Sequence, residues 1–276
     1  MLIELLQSLA LGITEGFTEW LPISGEGHLL LVSSLLGADR NEQLLSLMLA
    51  LIRIGSAAAV LSLYAKRLLP VYGGSRARRG VTRLWFKLIL ACLPAFFVTL
   101  LLGEHLANLR KPYLTGIMVI LTAFLLLFAD RHQKPSWLQI DKVSGITPQT
   151  AFCIGAAQIL ALFPSTSRTT CVILCALLLG CTPRTAAEFA MFLGVPMIFG
   201  GAVRQIFLFA RHGEGFGFLS LAGILLGGAA AYFAAVFSIR FLMNHLKKND
   251  FTFFALYRIV LGIVILSYFT ISALMA

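Results

Sequence analysis

Polar positions are rare along this chain, and they fall where they divide it. Residues 2–20 read as an apolar helix that Pro22 and Ser24-Gly25-Glu26-Gly27 interrupt, and 28–36 resumes it. Each arm is short for a membrane span, so the pair reads as a re-entrant hairpin whose broken backbone is buried by protein or water. A polar turn over Gly37–Asn41 follows, and 44–64 crosses. Further crossings are expected at about 84–102 and 113–129. A second interrupted segment covers 148–180, with Pro164-Ser-Thr-Ser-Arg168 at its break, and crossings follow at 185–210, 216–240 and 252–274.

The charges orient these segments. Lys66, Arg67, Arg76, Arg78, Arg79 and Arg83 make 65–83 the most basic loop, which places it in the cytoplasm. With both interrupted segments turning back, the loop carrying Arg131, Lys134 and Lys142 and the Lys247-Lys248 pair fall on the same side. Both termini then fall outside. The expected fold is an all-α polytopic membrane protein with about six transmembrane helices and two re-entrant hairpins.

Composition agrees with the pattern. The 276 residues are 59% hydrophobic and 12% charged, with a mean hydropathy of +0.89, whereas soluble domains carry roughly 25% charged residues. A net charge of +10 would suit nucleic acid, but the cations cluster in loops between spans, so membrane lipid is the expected partner and nucleic acid is not. The start Met1-Leu-Ile-Glu lacks a basic region, and the first apolar segment is expected to stay in the mature protein. The five cysteines lie in or beside apolar runs without histidines at zinc spacing, which makes them packing residues.

An internal repeat underlies this order. A shift of 143 residues superposes Gly12 on Gly155, Glu15 on Gln158, Ser24 on Ser167 and Gly37 on Gly180. The first hairpin dips from outside and the second from inside, an inverted repeat whose broken helices are expected to meet near the midplane. The whole chain then forms one integral-membrane domain, with repeats at about 1–129 and 148–276.

The chemistry concentrates at the two breaks. Glu15 and Glu19 are four apart on one helical face and repel, so they call for a cation, a shared proton or an arginine. A divalent ion, Mg2+ or Ca2+, held by these carboxylates and substrate phosphates suits them, with Glu26 as a further ligand. Ser24 to His28 follows the proline break and opens a new helix, where Gly27 lets backbone N–H groups face an anion. His28 can act as acid, base or nucleophile. Ser165-Thr166-Ser167-Arg168-Thr169-Thr170 is a hydroxyl-rich break around one arginine, a phosphate clamp by type. Arg168 serves equally to neutralise Glu15 or Glu19. Together the two breaks point to a phosphorylated ligand with a hydrophobic tail.

These residues carry a resemblance. Glu15-Gly-Phe-Thr-Glu19-Trp-Leu-Pro-Ile-Ser24, then Gly27-His28, resembles the E-G-x-T-E-F/W-L-P-I/V-S-S-T-G-H signature of the bacterial undecaprenyl-diphosphate phosphatases, the bacitracin-resistance family. Pro164-Ser-Thr-Ser167-Arg168-Thr169 is similar to its P-G-x-S-R-S motif, Glu188-Phe-Ala-Met-Phe-Leu-Gly-Val-Pro196 to its E-F-S-F-L-L-A-x-P, and Phe254-Ala-Leu-Tyr257-Arg258 to its F-x-x-Y-R. Ile54-Gly55-Ser56-Ala-Ala-Ala-Val60 also has a counterpart.

The resemblance implies a metal-dependent enzyme of the bacterial plasma membrane with an outward-facing site. Its reaction converts undecaprenyl diphosphate to the monophosphate carrier lipid used in peptidoglycan synthesis. It implies Glu15 and Glu19 as metal-binding or acid–base groups, Ser24 and His28 at the reaction centre, and Ser167, Arg168, Thr169 and Gly27 around the phosphates. A homodimer stays open.

The departures stand at the centre of the motif. Gly25 replaces the family's second serine, Glu26 the following threonine, and Arg53 a glutamine two residues before Gly55. Either Ser24, His28 or metal-bound water then attacks, or the chain binds or transports a lipid phosphate without cleaving it. Glu26 and Arg53 balance each other's charge if they approach. Lipid phosphatases of the phosphatidic-acid type are excluded, since no lysine–arginine motif precedes Pro22 and no histidine follows Arg168 at the required spacing. Arg258, inside the last span, needs an acceptor, and Glu188 is the expected one. Arg184, Arg204 and Arg240 are expected to snorkel to the interface.

Overall fold

In the computed structural model, the described residues are 2–37, 42–107, 111–163, 165–211 and 218–275. The turn expected at 38–41 and Pro164 at the second break lie outside them. The chain is helical throughout, and the one β-bridge among the described residues joins Ile140 to Cys181. The helices are α1 (Leu2–Thr18), α2 (Gly25–Leu36), α3 (Glu42–Leu63), the single turn α4 (Ala65–Leu68), α5 (Ser75–Ala107) and α6 (Pro112–Arg131). After two short 3-10 turns come α7 (Pro148–Ala156), which continues as a 3-10 helix to Leu162, then α8 (Arg168–Leu178), α9 (Pro183–Arg211), α10 (Phe218–His245) and α11 (Thr252–Met275).

Six of these among the described residues, α3, α5, α6, α9, α10 and α11, are long and apolar enough to cross a membrane. The two arms of the second interrupted segment, Pro148–Leu162 and Arg168–Leu178, are shorter apolar helices. At 17 and 12 residues, α1 and α2 are also below spanning length.

The two breaks share a conformation. Ser24 (φ 72°) and Ser167 (φ 63°) are both non-glycine residues in the positive-φ region, and Gly37 and Gly180 both carry positive φ at the following helix ends. Each serine caps the helix behind it: Ser24 Oγ accepts from Gly27 N at 3.4 Å and Ser167 Oγ from Thr170 N at 3.3 Å. A strained residue at a helix start persists only where its surroundings over-determine it. Here the hydroxyl that takes the orphan N–H also requires the turn.

Packing is closest where small residues let backbones touch. A Cβ on Gly12 would lie 2.1 Å from Gly227 O, on Gly55 2.0 Å from Gly228 O, and on Gly155 2.0 Å from Ala91 O. These contacts press α1 and α3 onto α10, and α7 onto α5. Contacts also join α6 to α11, α3 to α9, α2 to α11 and α8 to α6. They form exchanged pairs: α1 with α10 answers α7 with α5, and α2 with α11 answers α8 with α6.

The molecule has two distinct ends. At one, Arg67 pairs with Glu188 at 2.8 Å, Ile140 N donates to Gly180 O, Thr182 N to Ile140 O, and Phe251 N to Asp130 Oδ2. This end gathers the segments near 64–68, 130–146, 179–188 and 246–251. At the other, Tyr113 OH donates to Phe269 O and Gln7 Nε2 to Leu36 O. Lys66, Arg67, Arg131, Lys134, Lys142, Arg184, Lys247 and Lys248 all belong to the segments of the first end.

One expectation fails here. Arg258 does not meet Glu188. Fully buried, it donates to Thr170 Oγ1 at 3.0 Å, to Thr122 Oγ1 and to Thr166 O at 3.5 Å. Glu188 belongs to the basic end, beside Arg67 and, at 3.8 Å, Arg184. Arg258 lies buried within the last long apolar helix, as the sequence pattern placed it, but its acceptors are neutral hydroxyls and a carbonyl on α8, α6 and the second break.

Candidate active site

The two breaks touch. Arg168, the first residue of α8, forms an ion pair with Glu19 just past the end of α1. Its other amino group reaches Gly194 O at 3.4 Å. Thr169 Oγ1 donates to Glu19 O at 2.9 Å, Ser24 Oγ to Ser165 O at 3.0 Å, and Ser165 N to a Glu26 carboxylate oxygen at 3.1 Å. Residues about 140 apart in sequence thus share one hydrogen-bonded seam. Trp20, fully buried, backs it with its ring against Gly194, where a Cβ would lie 2.6 Å from the indole.

Beside this seam lies a cavity of about 550 Å3. Glu19, Gly25, Glu26, Ser165, Ser167, Arg168 and Thr169 line it from the breaks, and Arg53 from α3. Apolar wall comes from Leu29, Leu30, Leu49, Met197 and Ile198. Away from the breaks its lining includes Ser33, Ser46, Thr99, Thr115, Arg204 and Gln205. Those residues approach the chain connections at 37–42, 107–112 and 211–218, so the cavity extends away from the basic end.

The repelling carboxylates each find an arginine. Glu15 is fully buried and its Oε1 accepts from Arg53 Nε at 3.1 Å, while Glu19 takes Arg168. Sequence reasoning anticipated an arginine from the second break, but not one from α3. Charge balance between Arg53 and Glu26 is conditional on their approach, and the direct carboxylate partner of Arg53 is Glu15. Arg53 and Glu26 both line the cavity, yet Glu26 accepts from the Ser165 backbone. The reason is depth: Glu15 is fully buried, so the guanidinium nearest it is committed there.

Two expected reaction-centre residues lie behind the cavity wall. Ser24 is fully buried, with its hydroxyl donating to Ser165 O and accepting from Gly27 N. His28 turns toward α11: Nδ1 bonds Ser24 O at 2.8 Å, Nε2 bonds Tyr257 OH at 2.7 Å, and the two rings stack 5.6 Å apart. Neither is among the cavity-lining residues, nor are Gly27 and the fully buried Glu15. Ser167, Arg168 and Thr169 do line it.

For a divalent cation, the donor set is partial. Among the described residues no group of three His, Cys, Asp or Glu side chains converges. Glu15 Oε2, however, is buried without a hydrogen-bond partner, one helical turn from Glu19. Two carboxylates completed by phosphate oxygens and water suffice for Mg2+, so these residues fit one.

The chain is similar to known proteins over nearly its whole length. The family model described as bacitracin resistance protein BacA matches residues 8–264. The undecaprenyl-diphosphatase of Desulfitobacterium hafniense is 37% identical over 275 residues, covering 98% of this chain and 97% of that one. The undecaprenyl-diphosphatase of Streptococcus thermophilus is 36% identical over 270 residues, with 97% and 94% covered. That of Enterococcus faecalis is 35% identical over 272 residues, with 98% and 99% covered.

Proposed function

From the premise that this chain belongs to the family of the bacitracin resistance protein BacA, we propose that it is an undecaprenyl-diphosphatase, a hydrolase releasing phosphate from undecaprenyl diphosphate at the cavity between its two breaks. The observation that carries this is the ion pair of Glu19 with Arg168, made across the breaks on the wall of that cavity.

The scaffold of this reading is an inverted repeat, with α1–α2 and α7–α8 as re-entrant hairpins entering from opposite faces. Its support is the matched pair of positive-φ serines and the exchanged packing of α1 on α10 and α7 on α5. With the basic end in the cytoplasm, the cavity opens to the outer face of the bacterial plasma membrane and both termini lie outside. The diphosphate occupies the polar part beside the seam. The isoprenoid chain leaves past Leu29, Leu30 and Met197 into the bilayer.

The chain's own groups then divide the work. Arg168, Ser167 and Thr169 hold phosphate oxygens and stabilise charge on the transferring phosphoryl group. Glu15, through its free Oε2, and Glu19 would hold a divalent cation, whose chemistry there is neutralisation of phosphate charge. Gly25 offers no hydroxyl, and the Ser24 hydroxyl is spent within the seam. Water is therefore the nucleophile, and Glu26, the exposed carboxylate of the cavity, takes its proton as the bridging P–O bond breaks and the lipid monophosphate leaves. Ser24 and His28 act behind the wall, fixing α2 and its glycine turn.

The test is phosphate release by the purified protein from undecaprenyl diphosphate with Mg2+. Release by the wild type that Glu19→Gln and Arg168→Gln each reduce at least about 100-fold is expected. Release no greater than that of Glu19→Gln would sink the enzyme reading and leave non-hydrolytic lipid-phosphate transport on the same scaffold.

A further inference from the structure

Three guanidinium groups line the cavity, and two are already committed. Arg53 is paired with Glu15, and Arg168 with Glu19. The third, Arg204 on α9, has no carboxylate or other hydrogen-bond acceptor among the described residues, yet it lies on the cavity wall beside Gln205. Its position sets it apart from the other cations. Most of those gather at the basic end, whereas Arg204 approaches the opposite end, near the connection at 211–218. An arginine at a helix end reads from sequence as a snorkelling residue, and the exposed Arg204 also lines the polar cavity.

Charge balance assigns it a task. The deep part of the cavity is neutral: each arginine there is cancelled by a glutamate, so an incoming diphosphate meets little net attraction until those pairs yield. Glu26 adds a negative charge on the same wall. Among the described residues, Arg204 is the cavity-lining positive charge without a carboxylate partner, and it offsets Glu26. Arg168 is held at Gly194 O, and Arg204 follows ten residues later on the same helix. At 1.5 Å per residue that is ~15 Å along α9, further than one diphosphate group spans. Arg204 therefore meets the anion before Arg168 does, near the mouth rather than at the reacting bond.

We infer that Arg204 is the capture residue for the lipid's phosphoanionic headgroup, holding it at the mouth of the cavity before it passes to Ser167-Arg168-Thr169. The inference rests on the proposed substrate class. It makes Arg204 a specificity determinant, since a diphosphate carries more charge to that cation than a monophosphate does. An exposed guanidinium at the mouth can pair with any phosphate oxygens, so an anionic bilayer headgroup is the competing source of the same chemistry.

The experiment uses the full chain in nanodiscs of zwitterionic lipid, and again with an anionic phospholipid added. Binding of undecaprenyl diphosphate and of undecaprenyl monophosphate is measured alongside phosphate release. Arg204→Gln is expected to weaken diphosphate binding and raise KM about tenfold, with kcat changed less than twofold and monophosphate binding affected less. Its KM also becomes less sensitive to salt, and Arg204→Lys recovers part of the loss. Arg240→Gln, an exposed cation of α10 outside the cavity lining, leaves KM unchanged. Unaltered binding and KM in Arg204→Gln overturn the inference. So does an effect that appears only with the anionic phospholipid, which assigns Arg204 to the bilayer. A wild type that releases no phosphate but loses diphosphate affinity on Arg204→Gln overturns the hydrolase reading alone and supports capture.

Discussion

At the scale of single residues, Gly25 and Glu26 carry the most information. Gly25 opens α2 on the cavity wall, where an added Cβ would lie 3.1 Å from Thr18 Oγ1. A Cβ there thus needs the Thr18 hydroxyl to give by only a few tenths of an ångström. With Glu26 as base, Glu26→Gln should lower kcat about 100-fold with little change in KM, read in the phosphate-release assay. A Glu26→Gln protein of undiminished kcat would return the proton to another group. Arg258 belongs to a different class of residue. It grips the second break from behind through Thr170, Thr166 and Thr122. Arg258→Leu leaves those groups without their donor, and a loss of about 3 kcal/mol is expected in detergent unfolding. Glu188→Gln, at the basic end, should leave the seam intact.

At the scale of elements, the breaks and the glycine contacts do complementary work. The breaks give each interrupted segment free helix ends, and the glycines let α1, α3 and α7 approach their partners at backbone distance. Gly55→Ala places a methyl 2.0 Å from Gly228 O, with backbone as the obstacle. Since α3 carries Arg53, the change should both destabilise the protein by roughly 1–3 kcal/mol and disturb the Arg53–Glu15 pair. Gly201→Ala, which meets nothing within 4 Å, is the matched control. Equal thermal midpoints for the two variants would refute the close-approach argument. The interrupted helices themselves were legible in the sequence, because proline, glycine and serine are incompatible with an uninterrupted apolar helix. The partner of Arg258 was not, because a buried guanidinium donates to hydroxyls and carbonyls as readily as to a carboxylate, and spacing does not distinguish them.

At the scale of the whole molecule, the proposed orientation follows from the distribution of cations between the two ends. It predicts side-specific labelling. In a protein whose native cysteines are replaced by alanine, Lys111→Cys should react with a membrane-impermeant thiol reagent in intact cells. Arg76→Cys should react only after permeabilisation. The reverse pattern would turn the cavity toward the cytoplasm and remove it from an outer-leaflet substrate.

The periodicity of apolar residues by itself determined the helical class, the spanning segments and the two interruptions, since a bilayer leaves a helix few alternatives. Residue type at the interruptions also determined which chemistry was at stake, because carboxylates, hydroxyls and arginine are costly at membrane depth. Tertiary structure alone decided who meets whom. It gave Glu15 to Arg53 and Glu19 to Arg168, withdrew Ser24 and His28 behind the wall, and left Arg204 on it without a carboxylate among the described residues. Those pairings join residues from separate helices, and helix crossing, rather than any spacing along one chain segment, sets their distances.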